Sequence, residues 1–67
     1  MIAIQLNNER VELPDGATLA ALVASLGKPP AALATAVNGD FVPRDLRAQR
    51  LLQDGDAVMT FEPITGG

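Results

Sequence analysis

The sequence predicts an α+β roll: a small mixed sheet packed on one short helix. Three observations point to it. Apolar and polar residues alternate through the first thirteen positions, with an Asn-Asn pair in the middle. Apolar residues then recur at helical spacing between a threonine and a glycine. Finally, Asn38-Gly39, a strong hairpin-turn pair, divides two short β-prone runs.

The elements follow in order. Ile2, Ile4 and Leu6 alternate with Ala3 and Gln5, the period of a strand with one face buried. Asn7-Asn8 suits a two-residue turn, since asparagine tolerates left-handed backbone angles. Glu9 to Leu13 alternates again, so the N-terminal segment reads as a hairpin. Pro14-Asp15-Gly16 breaks it. Thr18 is a helix N-cap, and Leu19, Leu22, Val23 and Leu26 form one apolar stripe. Gly27 suits the C-terminal cap, and Pro29-Pro30 stops the helix. A helix of about two turns is not stable alone and must lay its stripe on the sheet.

Ala34 to Val37 reads as a strand, returning through Asn38-Gly39 into Phe41-Val42, which Pro43 confines to a sheet edge. Arg44 to Leu52 reads as an irregular or single-turn crossover. Asp54-Gly55-Asp56 is a turn, and Ala57 to Glu62 is the last strand, ended by Pro63. As the two most apolar strands, the first and last are expected side by side at the sheet centre. The organisation is one domain over residues 1–63 and a flexible tail over residues 64–67.

Composition narrows the function. A chain of 67 residues holds one modest core and no deep cleft. Its net charge of −3 disfavours nucleic acid and anionic membrane surfaces and favours a basic patch on another protein. Arg44, Arg47 and Arg50 cluster, but with Asp45 among them they read as a solvated face. With no Cys and no His, thiolate catalysis and Cys-type metal sites are excluded. The N-terminal residues carry neither a basic region nor a long apolar run, so no signal peptide or membrane span is expected. Glu9 and Glu12 fall on opposite faces of their strand, which does not suit an acid/base pair. Asp54-Gly55-Asp56 lacks the longer ligand series of a calcium loop.

What remains is the end of the sequence. Ile64-Thr65-Gly66-Gly67 reaches about 13 Å when extended, at roughly 3.3 Å per residue. Two glycines can thread a channel too narrow for any side chain. The α-carboxylate of Gly67 is the best candidate for covalent chemistry. A carboxylate must first be activated to acylate anything, most simply as an acyl-adenylate. The sequence has no GxxxxGK[ST] or GxGxxG loop, so activation falls to a partner. In the last strand Val58 and Thr60 point one way and Met59 and Phe61 the other. One of these sets faces the helix and the other faces away.

The stretch Ala36-Val37-Asn38-Gly39-Asp40-Phe41-Val42-Pro43-Arg44 resembles the VNG-x-x-VPR signature of the thiamine-biosynthesis sulfur carriers, the ThiS family. Asp54-Gly55-Asp56-Ala57-Val58 resembles their DGD-x-V element, and Gly66-Gly67 their terminus. The resemblance covers the whole chain. It implies a ubiquitin-like β-grasp fold in a cytoplasmic protein that is a carrier and co-substrate, not an enzyme, with no bound cofactor. It also implies that a ThiF-type adenylyltransferase, using ATP and Mg, adenylates Gly67. Sulfur from a cysteine desulfurase then displaces AMP to leave a thiocarboxylate, and a ThiG-type thiazole synthase takes the sulfur. Gly66, Thr65 and Ile64 would be the threading residues. The resemblance also places Val58 and Thr60 inward, which leaves Met59 and Phe61 on the open face near Ala36 as a candidate partner patch. A P-x-x-GG ending is shared with molybdopterin-synthase small subunits, a sister family, and a ubiquitin-like protein modifier is a further alternative. The VNG-x-x-VPR stretch and the short length favour the thiazole pathway.

Overall fold

The structure, a computed structural model, describes residues 1–62, apart from the Pro30 side chain. It contains strands β1 (Ile2–Leu6), β2 (Glu9–Leu13), β3 (Ala34–Val37), β4 (Asp40–Val42) and β5 (Ala57–Phe61), with helix α1 (Leu19–Ser25) between β2 and β3. Two 3₁₀ segments, Pro30–Ala32 and Arg44–Gln49, occupy the connections. The five strands form one mixed sheet in the order β2-β1-β5-β3-β4. β5 lies centrally, parallel to β1 and antiparallel to β3. The first and last strands are neighbours, as their apolar character leads one to expect.

Turn chemistry sets the register. Asn7 and Asn8 both adopt positive φ, at 50° and 74°. Asn38 and Gly39 do the same in the second hairpin, at 52° and 85°. These are the angles a two-residue hairpin turn needs at both central positions. The first hairpin then pairs Leu6 with Glu9 and Ile2 with Leu13. Thr18 caps α1 by accepting a 3.1 Å hydrogen bond from the Ala21 backbone N–H.

One face of the sheet packs on the helix stripe. Ile4, Leu6, Val37, Val42 and Val58 meet Leu19, Leu22 and Val23, with Leu33 and Leu52 closing the ends. No aromatic residue takes part, so the core is aliphatic.

The connection from Arg44 corrects one expectation. It forms a 3₁₀ segment of six residues, longer than a single turn. Within it Arg47 is no part of a solvated face, being only 3% exposed. Its Nε–H donates to Thr35 Oγ1 at 3.0 Å, and its Nη2 donates to the Leu33 carbonyl. Thr35 Oγ1 in turn donates to the Val42 carbonyl at 2.9 Å. Arg44 opens the segment and Arg50 caps its C-terminal end. Within this triad it is Arg47 that enters the core. Arg44 is exposed and Arg50 half-buried.

Arg47→Met keeps much of the side-chain volume but removes these donors from buried acceptors. It is expected to cost about 2–3 kcal/mol, read as a lowered urea midpoint. Arg44→Met should stay within about 0.5 kcal/mol in the same measurement.

Candidate functional site

The alternation of β5 separates two roles. Val58 is fully buried against the core, and Thr60 on the same side is half-buried at its rim. Met59 and Phe61 lie on the opposite, open face, 46% and 48% exposed. Ala36 pairs with Met59, and Ala34 with Phe61. Ala36 itself is buried, so it forms the floor between larger neighbours rather than an exposed contact. Ala36, Met59 and Phe61 thus share the open face of the sheet. Sequence reasoning missed Phe41, which pairs with the other side of Ala36 and is 68% exposed. An apolar row thus runs Phe41–Ala36–Met59 across three strands, with Phe61 one step along β5. The missed signal was register: Phe41 and Met59 each lie opposite Ala36.

Polar side chains hold β5 from both flanks. On the β3 side, Asn38 Oδ1 accepts from the Ala57 backbone N–H at 3.0 Å. Its Nδ2 donates to Asp56 Oδ1 at 3.0 Å. Asp56 is buried, and its Oδ2 accepts from the Gln53 N–H at 2.8 Å. Asp54 Oδ1 accepts from the Ala3 N–H at 2.8 Å, and the Gly55 N–H donates to the Ala3 carbonyl. On the β1 side, Asn7 Oδ1 accepts from the Thr60 N–H at 3.0 Å and Asn7 Nδ2 donates to Thr60 Oγ1 at 2.8 Å. Asn38, read from sequence as a turn residue, is therefore also a brace.

Glu62, the last described residue, forms an ion pair with Lys28, the only lysine. The tail residues Ile64, Thr65, Gly66 and Gly67 lie outside the described residues, as does Pro63. Among the described residues, no group of His, Cys, Asp or Glu is arranged to hold a metal ion. No described helix is long and apolar enough to cross a membrane. The described body thus offers an apolar face and a firmly held strand leading toward the C-terminus.

A model of the ThiS family matches residues 3–67. The sulfur carrier protein ThiS of Escherichia coli is 36% identical over 64 residues, covering 96% of this chain and 97% of that protein. The crystal structure of a thiamine biosynthesis protein, ThiS, from Geobacter metallireducens superposes with a TM-score of 0.85 at 19% identity, covering 98% of this chain and all of that one. A solution structure of a thiamine biosynthesis protein from the same organism gives 0.77 at 22% identity, covering 98% and 88%. The shared architecture is the ubiquitin-like β-grasp.

Asn38→Gly keeps a residue that adopts positive φ freely and removes only the amide brace to Ala57 and Asp56. It should lower stability by about 1–3 kcal/mol in urea unfolding.

Proposed function

The chain belongs to the ThiS family, and from that membership we infer that it is a sulfur carrier of thiamine biosynthesis that reacts through the carboxylate of Gly67. The observation that carries this reading is the family match extending to residue 67, the Gly-Gly end included. The chemistry of the chain agrees with it. No Cys or His is present to act as a catalyst, and a carrier needs none. In this reading a ThiF-type adenylyltransferase binds ATP and Mg. The Gly67 carboxylate attacks the α-phosphorus of ATP and pyrophosphate leaves. The outer sulfur of a persulfide charged by a cysteine desulfurase displaces AMP to give an acyl disulfide, and a second thiol attacks its S–S bond, ending as a disulfide and releasing the thiocarboxylate. A ThiG-type thiazole synthase, in the cytoplasm, then accepts the sulfur.

The body serves as the handle. Met59 and Phe61, floored by Ala36, form the patch that partners grip, and Phe41 extends it. A flexible methionine beside aromatic rings suits two different partners in turn. Ile64, Thr65 and Gly66 thread the partner's channel. Ordering them costs about 1–2 kcal/mol of backbone entropy per residue, which limits affinity and favours release to the next enzyme.

Incubation with the activating enzyme, ATP, a persulfide donor and a thiol reductant should convert the chain to a species in which sulfur replaces one oxygen. Intact mass spectrometry reads this directly. An unchanged mass beside a demonstrably active enzyme would refute the reading. Met59→Ser with Phe61→Ser should raise the KM for the carrier by about tenfold or more, the loss of about 1.4 kcal/mol or more of contact. Both side chains are half-exposed, so the pair should lower stability by no more than about 1 kcal/mol.

A further inference from the structure

Strand β1 turns away while β5 still has three residues to run. The two strands pair in parallel at Gln5–Ala57 and Leu6–Val58. Along this seam the Gln5 N–H donates to the Asp56 carbonyl at 2.9 Å and the Asn7 N–H to the Val58 carbonyl at 3.0 Å. By the alternation of a parallel ladder, the next rung would run from the Thr60 N–H to the Asn7 main-chain carbonyl. Asn7, however, enters the hairpin turn with φ of 50°. Its side chain supplies the rung instead: Oδ1 accepts from the Thr60 N–H, and Nδ2 donates to Thr60 Oγ1. A glycine would serve the turn equally well but could not make these bonds.

Thr60 is the last residue of β5 with such an anchor on the β1 side. Beyond it, Phe61 pairs only with Ala34 of β3, and Glu62 is tied through its ion pair with Lys28. Both partners of that pair are more than half exposed, so it holds weakly. The Asn7 amide is thus the last anchor of β5 on the β1 side, opposite the β3 pairing that runs on to Phe61.

We propose that Asn7 is a positioning residue for the reaction at Gly67: its side chain completes the β1–β5 ladder and so fixes where the last residues of β5 sit and point. The proposal rests on the sulfur-carrier reading above. Releasing Thr60 from Asn7 would leave the end of β5 held by β3 alone and loosen the direction in which it points. The carboxylate would then reach the attacking position less often in each docked complex. Docking through the open face would be little changed, so the loss falls on kcat rather than on KM.

The test is steady-state adenylation by the activating enzyme, with the full chain as the varied substrate, well below the unfolding temperature. Asn7→Gly, which retains the turn, should lower kcat about tenfold with KM within about twofold of the original chain. Asn7→Asp, whose carboxylate can accept from both the Thr60 N–H and hydroxyl, should keep kcat within about twofold. Amide exchange should quicken at Thr60 and Phe61 in Asn7→Gly and stay unchanged at Ile4 and Val37. A purely structural role would leave kcat untouched at this temperature. Thr60→Val, which removes only the Nδ2 bond, should lower kcat about threefold and serves if Asn7→Gly does not fold. An unchanged kcat in whichever of these two variants folds overturns the proposal. No adenylation of the original chain by an active enzyme would instead refute the carrier reading.

Discussion

The structure depends on one strand being held from every side. β5 takes main-chain pairing from β1 and β3, packs Val58 into the aliphatic core, and is braced at its start by Asn38 and near its end by Asn7. In a domain this small, where net stability is only a few kcal/mol, such redundancy matters. The strand that carries the open-face apolar residues also precedes the C-terminal segment.

Much of this was legible in the residues. The Asn-Asn and Asn-Gly pairs marked both hairpins, because few other residues accept positive φ at both central positions. The Leu19/Leu22/Val23/Leu26 stripe marked the helix and the face it buries. Alternation in Ala57–Phe61 separated Val58 from Met59 and Phe61, and the family resemblance chose Val58 as the core residue. What escaped depended on distance in the fold rather than along the chain. Nothing local to Arg47 shows that its guanidinium meets Thr35 and Leu33. Phe41 joins the open-face row only once Ala36 is known to sit between it and Met59. Likewise, asparagine at position 7 announces a turn, while its bonds to Thr60 span fifty-three positions. The tail, on which the sequence reading placed its chemistry, lies outside the described residues.

The motifs that carry the family resemblance turn out to hold the body together. Asn38 of the VNG stretch bonds Asp56 of the DGD element, and Asp54 of the same element bonds the start of β1. These residues converge at the beginning of β5, away from the apolar row. Their work is to fix the central strand. That use suits a small chain with little interior to spare: its polar residues build the frame.

The central claim is that Gly67 must be the free acyl end and the body only its handle. The most direct measurement is complementation of a bacterial strain lacking its own carrier, grown without thiamine, by this chain with a single alanine appended after Gly67. The account predicts a folded protein that supports no growth, while the original chain does. Growth equal to that of the original chain, with intact mass confirming that the alanine is retained, would contradict it.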